Sequence, residues 1–409
     1  MQNWRQSWNR NLILLVVAIF FISFGFDGIY MSIYTNFIAN DIHVQPGQLG
    51  VIESTRETPG FLSAFIAALT MQIPSPVLAG LTLLIMSVGI GTFSQIYTVN
   101  AVIFWAIFWS LGFHCWAPLQ PTMVLRLTTD ESKGKWLGQI SGIGNLAGLT
   151  GMGLVAIINA QDIHLGKLGN ALIALRDALL AVTGTEDILR RLFLVAGFAI
   201  AIAGVIVFFI SRESTHLKTQ RLSMKRKYRF YYALTFLEGC RKQVFITFAV
   251  YALVKVFNTS VSVIARLMIV NRIANMIFAP IIGRVVDKIG ERRSLTIYNA
   301  SLIAVFCGYA MANDHRVLYV LYCIDSFLYL FSIAQTTYLN KIALPEDVRP
   351  ALSMGVTMNH AAAVIVPLVG GLLWAALDRY DIVFYGGAVV AFISLIVSQF
   401  LWIDRPERS

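Results

Sequence analysis

The chain has 409 residues, 57% of them hydrophobic and 13% charged, with a mean hydropathy of +0.69. Soluble domains carry roughly 25% charged residues, so this composition excludes a soluble globular protein and points to a polytopic membrane protein. The net charge of +10 does not indicate nucleic acid, because the basic residues fall in the gaps between apolar runs rather than on one polar face.

About 20 apolar residues cross ~30 Å of hydrocarbon. The first such run, 11 to 38, follows only two basic residues and lacks a small-residue cleavage site, so it reads as a retained span rather than a signal peptide. Further spans are predicted at 47 to 70, 77 to 95, 99 to 125, 136 to 158, 190 to 211, 230 to 256, 259 to 282, 294 to 312, 316 to 340, 351 to 376 and 382 to 403. The expected fold is all-α, with twelve transmembrane helices. Residues 159–189 form an unusually long connection, and LGKLGNALIALRDALLAV within it has helical apolar spacing suited to lying along an interface.

The basic run RLSMKRKYR, Arg221 to Arg229, falls between spans six and seven. It divides the chain into a six-helix bundle (1–211), a basic linker (212–229) and a second six-helix bundle (230–409). Topology explains this run, with anionic lipid as an alternative partner. With both termini inside, the inner loops and tails carry 20 Lys and Arg against 6 outside, which favours cytoplasmic termini. Cys115, Cys240, Cys307 and Cys323 lie in apolar segments without metal-ligand or C-x-x-C spacing, so reduced structural thiols are expected.

Displacing the sequence on itself by 216 residues superposes Arg56 on Arg272 and ESTR of span two on IVNR of span eight. It also places Asp27 opposite Gln243, beside Arg241 and Lys242. Two related halves fit this register.

The loop after span eight reads GRVVDKIGERR and resembles the G-x-x-x-D-x-x-G-x-R-R signature of the major facilitator superfamily, with Gly283, Asp287, Gly290, Arg292 and Arg293 at the matching positions. PTMVLRLTTDESKGKWLG, Pro121 to Gly138, is similar to the family's loop between spans four and five, and the glycine-dense GQISGIGNLAGLTGMG follows it. The resemblance covers the whole chain. It implies two pseudo-symmetric six-helix bundles rocking about a midplane site, with the signature loop as a gating latch and spans one, seven and ten lining a cavity. One departure stands out: the loop after span two is only MQIPSP, without the acid and bases that the first-half copy of the signature normally has.

An ionisable side chain at mid-bilayer costs roughly 2.5 to 3.5 kcal/mol on insertion scales, so such residues usually face a cavity or each other. In span two, Glu53, Arg56 and Glu57 share a stripe with Gly60 and Ala64. Arg56 and Arg272 each stand 11 residues, about 16 Å, from the inner ends of their helices. Facing each other, they would form a site for an oxyanion. Alternatively, Glu53 and Glu57 neutralise Arg56 within its own helix. Span seven repeats the pattern with Glu238, Arg241 and Lys242, where a local Glu238–Arg241 bridge is the structural alternative. The expected substrate-binding residues are Arg56, Arg272, Arg241, Lys242, Tyr30 and Asn275. Asp27, Glu53, Glu57, Glu238 and Asp325 are the proton-coupling candidates, with His114 and His360 behind them.

The sequence has no G-x-S-x-G, no H-E-x-x-H and no phosphate-cradling glycine loop followed by Lys and Ser/Thr, so neither an enzyme nor an ATP-driven pump is expected. No cofactor or metal is expected. The leading expectation is a monomeric secondary transporter in a prokaryotic inner membrane, moving a small anionic solute with protons. A proton-driven exporter of amphiphilic or cationic compounds and a lipid flippase are the alternatives.

Overall fold

The computed structural model describes residues 9–128, 132–160, 166–183, 187–211 and 224–401. Among them every regular element is helical. The first span joins α1 (Arg10–Ile22) to a π-helical stretch, Ser23–Tyr30, then α2 (Met31–Asn36) and a second π-helical stretch, Phe37–Asp41. The second span is α3 (Pro46–Phe61) and α4 (Ser63–Thr70). The first half continues with α5 (Ser75–Thr92), α6 (Val99–Leu127), α7 (Lys133–Ile158), α8 (Gly166–Thr183) and α9 (Ile188–Val207). Span seven is α10 (Arg229–Gln243), a π-helical stretch, Val244–Ala249, and α11 (Val250–Lys255). Then come α12 (Val261–Ile289), α13 (Glu291–Met311), α14 (His315–Leu328), α15 (Ile333–Ile342), α16 (Pro345–Leu377) and α17 (Asp381–Gln399).

Ten of these helical stretches are long and apolar enough to cross a membrane. The two expected spans outside that set, α3 with α4 and α10 with α11, are those bearing the Arg56 and Arg241 charges. The twelve-helix expectation stands, and the chain is an integral membrane protein. Span two is not continuous as expected: α3 ends at Phe61, two residues after Pro59, which lacks a backbone donor, and Leu62 turns out of the helical region at φ −85°, ψ 4°. The long connection does contain a helix, α8, although 161–165 and 184–186 lie outside the described residues. Sequence also dictates several helix starts. Asn9 accepts from Leu12 N–H at 2.8 Å to cap α1, Asp314 accepts from Arg316 N–H at 2.8 Å to cap α14, and Pro345 opens α16 where its missing N–H costs nothing.

By contacts the chain forms two units. Unit 1 comprises Met1–His43, Leu62–Lys218 and Thr259–Ile269. Its core is an aromatic cluster in which Tyr30 and Trp109 lie 5.0 Å apart and Phe37 and Phe193 4.9 Å apart. The first span meets α7 backbone to backbone, since a Cβ at Gly28 would stand 2.7 Å from Gly151 Cα. This is the close approach expected of the glycine-dense fifth span. The start of α12 also belongs here, with Ser262 Oγ donating to Ala156 O at 3.0 Å.

Unit 2 comprises Val44–Phe61, Thr219–Asn258 and Val270–Ser409. Helix α16 runs antiparallel to α3, with Gly371 against Pro46 and Gly50 against Pro367, where a Cβ on Gly50 would meet the Pro367 carbonyl at 2.4 Å. Its other side carries α10, with Gly239 against Asn359 and Ala362. Of the expected linker, 212–223 lie outside the described residues. The described end is tied down: Lys225, Lys227 at 3.0 Å and Tyr228 Oη at 2.7 Å all converge on Asp347 in the first turn of α16, where the helix dipole favours an acid. Hydrogen bonding to Tyr228 and to Asp347 pushes the Lys227 pKa up.

Candidate functional site

The strongest concentration of buried charge in unit 2 is centred on Arg241. Its Nη1 donates to both oxygens of Asp325, at 2.9 and 3.0 Å, although the two residues are 84 positions apart. Its Nε and Nη2 donate to Glu238 Oε1 at 3.2 and 3.0 Å. Tyr298 Oη stands 3.0 Å from each oxygen of Glu238 and donates to that carboxylate. The guanidinium lies 5.6 Å from the Tyr298 ring centroid and 5.2 Å from that of Tyr329, so its faces are covered by aromatic rings. Arg241, Asp325 and Glu238 are only 3%, 2% and 8% exposed. Three helices therefore build one cluster: α10 gives Glu238 and Arg241, α13 Tyr298 and α14 Asp325.

A second cluster surrounds Arg56. Its Nη2 lies 2.6 Å from Glu53 Oε2 and 2.9 Å from Glu57 Oε1, and its Nε adds a bond to Glu53 at 2.9 Å. Glu57 Oε2 is in turn 3.3 Å from His360 Nδ1 on α16. This contact continues the antiparallel register set by Gly50 and Gly371. The turn of α16 at Asn359–Ala362 thus touches α3 through His360 and α10 through the Gly239 contact, and it lies beside both clusters.

Both local ion pairs weighed from the sequence are formed, Glu53–Arg56–Glu57 in α3 and Glu238–Arg241 in α10. Arg272 and Lys242 are half-buried on α12 and α10, and Asn275 Nδ2 donates to Ser326 Oγ at 3.2 Å. In unit 1, Asp27 is half-buried in the π-helical stretch Ser23–Tyr30, while Tyr30 is enclosed in the aromatic cluster. His114 Nδ1 lies 2.9 Å from Ser110 Oγ.

In the signature loop, Gly290 makes the turn with φ +85°, a conformation that favours glycine. Gly283 instead lies inside α12 with no atom within 4 Å of where a Cβ would stand, so it serves neither a turn nor close packing. Asp287 and Arg293 are exposed, and Arg292 reaches Gln399 at 3.4 Å. The acid that pairs in this loop is Glu291, buried and 2.5 Å from Lys341. Sequence reasoning passed over Glu291, and it passed over Tyr298 because a tyrosine in an apolar helix carries no local sign of its partner.

No curated protein matches the chain in sequence. Residues 231–409 match the family model of the Major Facilitator Superfamily. Among solved structures, the nucleoside transporter NupG superposes with a TM-score of 0.72 at 12% identity, over 96% of this chain and 100% of that one. A bacterial homologue of the human lysosomal transporter Spinster, in an inward-facing and occupied conformation, gives 0.71 at 14% identity over 98% and 99% of the two chains. A D-xylose-proton symporter gives 0.67 at 13% identity over 97% and 98%. The family match thus lies in the second half, over somewhat less than half of the chain, and the fold of these transporters extends over nearly its whole length.

Proposed function

We propose that the protein is a proton-linked secondary transporter of a small anionic solute, working by alternating access of its two six-helix halves. One observation carries this reading: each arginine cluster holds two carboxylates on a single guanidinium. The mid-span groups of unit 2 are four carboxylates, Glu53, Glu57, Glu238 and Asp325, and four cations, Arg56, Arg241, Lys242 and Arg272. With all eight ionised the set is neutral. A proton taken up on a carboxylate leaves one uncompensated positive charge, and a low-dielectric site then favours an anion entering with that proton. Arg272 and Lys242, half-buried on α12 and α10, are the cations proposed to contact the anion.

Within the Arg241 cluster the donors are unequally shared. Glu238 receives Arg241 Nε, Arg241 Nη2 and Tyr298 Oη, whereas Asp325 receives only Arg241 Nη1. Hydrogen bonds to a carboxylate favour its charged form, so Glu238 is the standing counter-ion and Asp325 is the place for the transported proton. Cytoplasmic termini, supported by the inner excess of basic residues, complete the reading together with a monomeric state and a prokaryotic inner membrane. The pair of carboxylates on each guanidinium also supports a second reading, export of a cationic compound that replaces a proton on them.

Liposomes containing the purified protein and a lumenal pH dye test both readings. The panel is lactate, phosphate, uridine, D-xylose and a lipophilic cation, the two neutral solutes being suggested by the nucleoside and D-xylose transporters above. The expected result is lumenal acidification driven by an anion and abolished in Asp325→Asn, while exchange of that anion persists. Proton movement driven by the cation, or unchanged in Asp325→Asn, overturns the proposal.

A further inference from the structure

The end of unit 2 that receives the linker gathers arginines around an exposed pair of aromatic rings. Arg226–Tyr228 form a 3-10 turn that runs directly into α10 at Arg229. Tyr228 is 2% exposed and donates to Asp347, and Lys225 and Lys227 pair with that same carboxylate, so the turn is fixed against the start of α16. Residues i and i+3 of a 3-10 turn eclipse, which puts Arg226 and Arg229 in line on one side of it. Both are exposed. Among the described residues, the acid at this turn is committed to the two lysines and forms no ion pair with either arginine.

Arg229 is held by a ring. Its guanidinium carbon lies 5.0 Å from the centroid of Phe230, and Phe230 in turn stacks on Phe400, just beyond α17, with centroids 6.2 Å apart and planes 11° from parallel. Phe400 is 59% exposed. One residue earlier, Gln399 Oε1 accepts from Nε and Nη2 of Arg292, each at 3.4 Å, which brings a third exposed arginine to the same place. A guanidinium whose face lies on an aromatic ring directs its N–H groups outward in the ring's plane, the geometry that receives an oxyanion. Arginines beside exposed, stacked rings match a partner with an anionic, oxygen-rich head and an apolar body.

We propose that this surface holds an anionic phospholipid of the adjoining leaflet, with its phosphate on Arg229 and Arg292, Arg226 reinforcing the charge, and the start of an acyl chain against Phe400. Two features favour a lipid over a soluble anion. The stacked Phe230 and Phe400 offer apolar area that a soluble ion would leave in water. The arginines also stand where spans seven and twelve and the loop after span eight leave the hydrocarbon, at the depth of the headgroups. None of them belongs to the Arg56 or Arg241 cluster, so lipid binding here stands apart from the transport reading.

Native mass spectrometry of the protein extracted from bilayers of equal phosphatidylglycerol and phosphatidylcholine counts each lipid retained. Preferential retention of phosphatidylglycerol is expected, weakened about fivefold by each of Arg229→Gln and Arg292→Gln, since one basic side chain at an anionic surface is worth about 1 kcal/mol. Phe400→Ala alters no charge and is expected to weaken it about threefold. The paired variant Arg284→Gln with Lys288→Gln removes two exposed cations from the end of α12 and should retain lipid as the wild type does. All five side chains are exposed, so none of these variants empties a packed core. Equal retention of the two lipids, or retention unaltered in all three single variants, overturns the proposal. So does a loss in the Arg284 and Lys288 pair as large as that in Arg229→Gln with Arg292→Gln, because the arginines then act only as diffuse surface charge.

Discussion

The Arg56 and Arg241 clusters place one guanidinium between two carboxylates by different routes. Arg56 finds both acids on its own helix, and its side chain keeps 14% of its surface exposed. Arg241 finds one acid on α10 and the other on α14, with a tyrosine from α13 locking the first, and almost nothing of it is exposed. The first cluster forms as soon as α3 is helical, so it serves to carry charge into the membrane. The second exists only once three helices are packed, so it fixes their relative positions.

Truncating each arginine sharpens that difference. Arg241→Ala leaves buried Asp325 without its guanidinium partner and buried Glu238 with its Tyr298 donor, and breaking a buried pair in this way costs on the order of 3–5 kcal/mol. Arg56→Ala removes a guanidinium that is itself more exposed and leaves Glu57 with its His360 contact, and about 1–2 kcal/mol is expected, nearer the value of a charge-assisted hydrogen bond. Thermal midpoints in detergent report the difference, and equal losses would break the comparison. A triple variant, Glu238→Gln, Arg241→Met and Asp325→Asn, removes all three charges together and should recover most of the Arg241→Ala loss.

Tyr298→Phe probes the inner cluster more gently, because it removes one hydroxyl and keeps the ring against Arg241. Glu238 then loses its Tyr298 donor and keeps the two from Arg241. A thermal midpoint in detergent lower by the equivalent of about 1 kcal/mol is expected, the worth of one buried hydrogen bond. An unmoved midpoint would mean that Tyr298 only packs.

The twelve spans and both local ion pairs were legible because apolar run length and helical spacing are properties of neighbouring residues. What the sequence did not show came from residues far apart in the chain. Asp325 has no cation within a turn of its own helix, and Arg241 reaches it only because α10 packs beside α14. Tyr298 and Glu291 stayed hidden for the same reason, since each has its partner on another helix. The π-helical stretches in spans one and seven and the break at Leu62 answer to tertiary packing as well as to Pro59. In the signature loop, the turn at Gly290 followed from residue type, but the interior position of Gly283 did not.

The smallest effect is expected at the outer edge of the Arg56 cluster. His360 meets Glu57 at 3.3 Å, a long hydrogen bond, and Glu57 keeps its shorter contact with Arg56 at 2.9 Å whatever stands at position 360. His360→Gln retains a side-chain donor of similar reach, so stability should fall by no more than about 0.5 kcal/mol. His360→Leu removes the hydrogen bond between His360 and Glu57 outright, and a loss of about 1 kcal/mol is expected. If both variants unfold at the wild-type midpoint, the α3–α16 pairing rests on the Gly50–Gly371 backbone contact and not on the histidine. A loss in His360→Leu as large as that of Arg241→Ala would instead make the two clusters equivalent, with the α16 turn at Asn359–Ala362 as the element that joins them.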